Sequence, residues 1–342
     1  MTTHQPAGKI DSGNSYGEIS LLSRLLFIYS SLPLPLPRLL RFFFLSAAIL
    51  LYIPQTTQAA EEYLPPVIIV SIAPQKYMVE RIAKNRVTVV TLVKQGSDPH
   101  FYEPAPTQMR LCAAGRLWFT IGVPFEDIWL PRILNAAPSL IPVSTITHSN
   151  RLQFFHDNTE HHGDTGRGEY LGHAHNNAGE DPHIWLSPRS VADMLPFMAQ
   201  ELGNILPQYA GEFLDNADAF SKELNNVDRA LTERFNTVPR DKRIFLTVHP
   251  AWRYFAHDYG LTELAIETDG KEPGPQHMKS VINTAKAHGI RTVFIEPQFP
   301  KAAAYAIAAN IGAKLVEADP LAENVLDTYT GMADKLMESF PQ

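Results

Sequence analysis

Apolar residues along this chain fall into two kinds of pattern. Val67–Ile72 (VIIVSI) is a continuous, β-branched run, which predicts a strand buried on both faces. Val87–Val93 (VTVVTLV), Leu117–Ile121 (LWFTI) and Ile141–Ser144 repeat the pattern. Between them the apolar spacing predicts helices over Gln75–Lys84, from Pro106-Thr107 onward and over Phe125–Leu134. The scheme then recurs. Arg243–Val248, Glu263–Ile266, Thr292–Ile295 and Lys314–Val316 read as strands, and Ala251–Asp258, Pro275–His288 and Pro300–Ile311 as helices. Pro275 and Pro300 suit a first helical turn, where the missing N–H costs nothing. Alternating strand and helix predict an α/β fold: two βα lobes, each with a roughly four-stranded parallel sheet.

The stretch joining the lobes differs. Tyr209 to Asn236 holds no proline, and Tyr209, Phe213, Phe220, Leu224, Val227, Leu231 and Phe235 recur mostly three or four apart. One long helix of about 42 Å is expected there at about 1.5 Å per residue, a stiff rod that disfavours large hinge closure. Two shorter helices broken near Asn225-Asn226 are the alternative.

Residues 1–60 do not join this scheme. Arg38 and Arg41 precede an apolar run from Phe42 to Ile53, and small residues follow at Ala59 and Ala60. Basic flank, short apolar core and small-residue exit make a secretory signal, here with an atypically long N-region. As a helix the run reaches only about 18 Å, short of a bilayer core of about 30 Å. Export is therefore expected. Without residues 1–60 the net charge moves from -7 to about -9. An acidic chain without a basic patch speaks against nucleic acid as a partner. A single cysteine, Cys112, excludes an intramolecular disulfide framework and a cysteine-cluster metal site, and it reads as a small buried residue in a helix.

The chain holds 13 histidines, and three of them stand with an aspartate where chemistry is expected. Ligands of open parallel sheets bind beyond the carboxyl ends of the strands. His100 follows the second predicted strand, His183 the fourth after a long loop, His249 the first strand of the second lobe and Asp319 the last. A proline adjoins each of the four and stiffens the backbone there: Pro99, Pro182, Pro250 and Pro320. Three neutral imidazoles and a carboxylate form a tetrahedral set suited to Zn2+. Glu296, also at a strand end, is expected to accept an imidazole N–H or to substitute for Asp319. Asp98 and Glu103 are expected to cap or orient the first loop, and Trp252, Tyr254 and Phe255 to pack a helix. His257, His277 and His288 are expected on helix surfaces.

GSDPHFYEPAPT (residues 96–107), DPHIWLSP, VHPAWRYFAHDYGL and EADPLA resemble, in order and spacing, the four ligand motifs of the cluster A-I metal-binding proteins that serve ABC importers. The resemblance runs over residues 66–340 or so. It implies a periplasmic receptor, not an enzyme, that captures a metal ion between its lobes and delivers it to the permease subunits of an inner-membrane importer. In that family a histidine at the third ligand position is typical of zinc binders and a glutamate of manganese binders, so His249 implies zinc. Some zinc-specific members carry a disulfide in the second lobe, which one cysteine cannot form. A monomer is expected.

The domains then read as a signal region at 1–60, an N-terminal metal-binding lobe at 61–206, a linking helix at 207–237 and a C-terminal metal-binding lobe at 238–342. A His-rich loop over 148–181 interrupts the first lobe. His156, His161, His162, His173 and His175 lie there among acids and glycines, a composition that cannot build a core. Two readings stand: a low-affinity zinc collector, or a solvated insertion with incidental metal affinity. For the whole protein, the alternatives are a manganese or iron receptor on the same scaffold and a secreted zinc hydrolase with Asp319 as base.

Overall fold

A computed structural model describes residues 64–146, 181–267 and 274–340. The expected signal region and the five loop histidines lie outside them. The first sheet consists of β1 (Val67–Val70), β2 (Thr88–Thr91), β3 (Gly115–Thr120) and β4 (Ile141–Ser144), all parallel, in the order β2-β1-β3-β4. The second repeats the topology with β5 (Ile244–Thr247), β6 (Thr262–Ala265), β7 (Thr292–Ile295) and β8 (Lys314–Glu317), in the order β6-β5-β7-β8. Both sheets are therefore the expected four-stranded parallel ones. In each, the first strand lies inside and the chain reverses its direction of travel across the sheet, which opens a crevice at the carboxyl ends.

The ladders are shorter than the apolar runs. Ser71, Ile72, Leu92 and Val93 are buried just past the strand ends, where the Leu92 and Val93 amides still donate to the Val70 and Ser71 carbonyls and Ile72 precedes the first helix.

In the first lobe α1 (Ala73–Ala83), α2 (Pro106–Ala114) and α3 (Pro124–Ala136) cross between strands. Two further helices, α4 (Pro188–Ile205) and α5 (Ala210–Phe235), follow. The second lobe adds α6 (Arg253–Tyr259), α7 (Pro275–Ala287), α8 (Ala302–Ile311) and α9 (Val325–Ser339). Neither α4 nor α9 is anticipated by the sequence reading. In α4, Pro188 occupies the first turn, where the missing N–H costs nothing, while Pro196 lies inside the helix on its exposed face. Val191, Leu195, Met198 and Leu202 still form a buried stripe.

The linking segment is one continuous helix of 26 residues. Phe213, Ala217, Phe220, Leu224, Leu231 and Phe235 are buried along it, against α4, α1, α6 and α9. Its far end is clamped: Phe235 meets Phe255 edge-on, with centroids 5.9 Å apart, and Tyr259 and Phe340 pack beside it. A second tie joins the halves near the crevice. Trp185, wholly buried, donates from Nε1 to the Pro320 carbonyl at 2.8 Å, and its own carbonyl accepts from the Tyr329 hydroxyl at 2.6 Å. The Ser187 hydroxyl caps α4 by accepting from the Ser190 amide, and it donates to Asp258 at the end of α6. Among the described residues no helix is long and apolar enough to cross a membrane.

Candidate metal centre

The loop after β2 carries His100 and is pinned from below. Gln108 at the start of α2 accepts from the Tyr102 hydroxyl (2.8 Å) and the Ala105 amide (2.9 Å), and its own amide donates to the Leu92 carbonyl. Within the loop, Asp98 Oδ1 accepts two bonds from His100: the backbone amide at 2.8 Å and ring Nδ1 at 2.7 Å. The same tripeptide, Asp-Pro-His, recurs at residues 181–183 with the same pair of bonds. His183 donates to Asp181 Oδ1 from its amide at 2.9 Å and from Nδ1 at 2.6 Å. Proline between the two fixes the turn. His249, directly after β5, donates from Nδ1 to Glu267 Oε2 at 3.0 Å, a residue just past β6.

An ionised carboxylate only accepts, so these contacts assign the proton of each neutral ring to Nδ1 and leave Nε2 with its lone pair. One ligand atom from each of His100, His183 and His249 lies within 4.8 Å of the others. The ring centroids of His249 stand 4.8 Å from His100 and 5.2 Å from His183. His183 and His249 are buried, and His249 Nε2 has no hydrogen-bond partner. Burial, reinforced by the neighbouring His183 and His100 and by Arg253, pushes the His249 pKa down to about 2. The neutral ring, with its lone pair free, is thereby favoured. Converging lone pairs without a donor form a site that a cation satisfies.

The cavity is small. His100, His183, His249, Trp185, Gln298 and Phe299 contribute to its wall, and its free space is about 10 Å³, room for one ion. Phe299 stacks on the His249 ring at 4.5 Å, with 19° between the planes.

Three of the four expected ligands thus come together. Asp319 follows β8 as anticipated, but its Oδ1 accepts from Gln298 Nε2 at 2.7 Å and from the Leu321 amide at 2.9 Å, and it is not part of the converging group. Glu296 makes no hydrogen bond to an imidazole; Glu267 accepts from His249 instead. The Glu296 carboxyl is 1% exposed, and burial, helped by Glu263 and Glu267, pushes its pKa well up. Asp98 orients His100 as expected, while the equivalent roles of Asp181 and Glu267 are absent from the sequence reading. Trp252, Tyr254 and Phe255 are buried, and Tyr254 donates to the Asp181 carbonyl at 3.1 Å, so packing and site support coincide. His257 and His288 are exposed and His277 is half-buried. Cys112 is buried, its thiol pushed up to about 11 by desolvation.

Glu263, on β6 beneath His249, accepts from the Thr247 hydroxyl at 2.9 Å and the Trp252 amide at 3.2 Å. Burial raises its pKa to about 8. A carboxyl raised in the folded state binds its proton more tightly there than in the unfolded chain. Its contribution to stability is whole below about pH 4.5 and is lost as pH rises through about 8. Glu263→Gln is therefore expected to gain stability over the parent between pH 5 and 9, by at most about 1.4 kcal/mol per pH unit. Urea unfolding at several pH values reads this directly, and parallel profiles for the two proteins would refute it.

Comparison with known proteins gives consistent matches. The family model described as zinc-uptake complex component A, periplasmic, matches residues 68–342. A crystal structure of ZnuA superposes with a TM-score of 0.71 at 32% identity, covering 80% of this chain and 99% of that one. The zinc-binding lipoprotein AdcA of Streptococcus pneumoniae is 26% identical over 74% of this chain and half of its own length. The manganese-binding lipoprotein MntA of Halalkalibacterium halodurans is 23% identical over 77% of this chain and 83% of its own.

Proposed function

The chain belongs to the periplasmic zinc-uptake complex component A family, and from that premise we propose that it is an exported receptor that captures Zn2+ between its lobes and hands it to an ABC importer. The observation that carries this reading is the convergence of His100, His183 and His249 on a cavity of one-ion size. Three imidazoles favour zinc over manganese, which prefers carboxylate and water oxygens. Relatives named for zinc and for manganese both resemble the chain, so the preference for zinc rests on the donor set. An oxygen donor from the Gln298–Asp319 side of the cavity would complete the sphere.

The task is equilibrium binding. The small cavity suits a single ion better than an ion with an organic substrate beside it, which weighs against the hydrolase alternative. Asp98, Asp181 and Glu267 hold the rings in the ligating tautomer and raise their basicity, as carboxylates behind metal-bound histidines do. The partner is the permease of the importer. The His-rich loop, with His156, His161, His162, His173 and His175, would collect zinc loosely and pass it inward.

Metal content after purification from unsupplemented medium and dialysis tests the reading: one zinc per chain is expected, and manganese or iron in its place would overturn it. Protons compete for the same lone pairs, since imidazole must be neutral to ligate. Zinc affinity is accordingly expected to fall steeply below about pH 6, near the imidazole range. Competition titrations with a chromogenic chelator between pH 7.5 and 5 measure this, and a flat profile would refute proton competition at the site.

A further inference from the structure

Gln298 stands in the cavity wall with the three histidines. Its amide nitrogen donates to Asp319 Oδ1 at 2.7 Å, and a carboxylate accepts only, so the orientation of the amide is fixed. The other end, Oε1, is buried and has no hydrogen-bond partner. A buried amide oxygen without a partner carries a desolvation cost of about 1–3 kcal/mol, which calls for an explanation.

The surrounding pattern supplies one. Asp319-Pro320-Leu321 is a third copy of the turn formed by Asp98-Pro99-His100 and Asp181-Pro182-His183, with the aspartate Oδ1 accepting from the amide two residues on in all three. In the two histidine copies that oxygen also accepts from the ring N–H of the histidine. In the third copy leucine stands where the histidine would be, and the aspartate accepts from the N–H of Gln298, carried on the loop after the neighbouring strand β7. With Glu267 behind His249, four carboxylates each hold one N–H of a group in the cavity wall. Each of the four groups keeps one lone-pair atom beyond its bonded N–H.

We propose that Gln298 Oε1 is the fourth donor to the bound ion and that Asp319 positions and polarises Gln298 without touching the metal. This rests on the trihistidine reading above. The donor set is then neutral, three imidazole nitrogens and one amide oxygen. The charge of the ion is balanced one layer out, by Asp98, Asp181, Glu267 and Asp319. Such a set holds zinc without the direct carboxylate bond that would favour harder cations.

The test is zinc competition against a chromogenic chelator on the purified chain and its Gln298→Ala, Asp319→Ala and doubly substituted forms, each checked for folding by circular dichroism. Gln298→Ala is expected to weaken zinc by at least about 10–100-fold, the range seen for losing even a group behind the ligands of a metal site. In the Gln298→Ala background, Asp319→Ala is expected to cost nothing further, because its effect runs through the amide. Cobalt(II) substitution adds a readout that packing alone would not move: the visible ligand-field bands shift when water replaces the amide oxygen. If Asp319 were itself the ligand, Gln298→Ala would free it, zinc would bind as well or better, and Asp319→Ala would cost its full amount in either background. That result, or unshifted cobalt bands in Gln298→Ala, overturns the inference while leaving three imidazole ligands in place. A His183→Ala control that binds zinc like the parent would instead sink the trihistidine site, and the inference with it.

Discussion

Alanine in place of His249 is expected to lower zinc affinity by well over the roughly 100-fold that removing a mere supporting group costs, with the fold retained. The ring supplies one of three nitrogens to a cavity of one-ion size, and no other histidine among the described residues is part of the converging group. Stability of the metal-free protein should change little by comparison. The substitution removes a buried Nε2 that has no partner, at the expense of the stacking on Phe299 and the bond to Glu267. Isothermal titration with zinc and near-ultraviolet circular dichroism separate binding from folding. Unchanged zinc affinity in a folded variant would remove His249 from the site.

The largest loss of stability is expected from Trp185→Ala. This side chain is wholly buried beside His183, and large-to-alanine changes of an aromatic in such a place cost about 3–5 kcal/mol. Its indole also holds the Pro320 carbonyl, so the backbone that carries Asp319 loses its partner from the other lobe. Denaturant unfolding of the metal-free protein should show the deficit, and zinc affinity should fall with it because His183 and the Asp319 turn lose their common support. A destabilisation under about 1 kcal/mol would mean that the tie between the lobes carries little of the structure.

Much of the scaffold can be read from the residues, for a physical reason. Strands such as Ile68–Val70 and Val293–Ile295 are covered on both faces, so they must be continuously apolar, and continuous apolar runs are conspicuous. The strand order follows less directly, but the carboxyl ends do not depend on it. His100, His183 and His249 are therefore legible as a set although 83 and 66 residues separate them in turn. What lies behind them is less so. The repeated Asp-Pro-His was available in the sequence, yet its meaning is a backbone turn with a doubly used carboxylate oxygen, which only coordinates display. Glu267 stands 18 residues beyond His249 and reaches it because β6 runs parallel beside β5. Gln298 carries no charge and titrates nowhere, so nothing in composition or spacing singles it out. The same holds for α4, whose prolines imitate breaks while its buried stripe continues past them.

The uninterrupted rod between the lobes bears on how a partner could recognise cargo. Clamshell receptors advertise occupancy by swinging shut, and the partner feels an altered outline. Here a 26-residue helix, buried along one side and pinned by aromatic rings at its far end, resists such a swing. What a bound metal ion would bring instead is positive charge into a wall backed by the carboxylates of Asp98, Asp181, Glu267 and Asp319. A permease facing that surface would discriminate full from empty by electrical potential more than by silhouette.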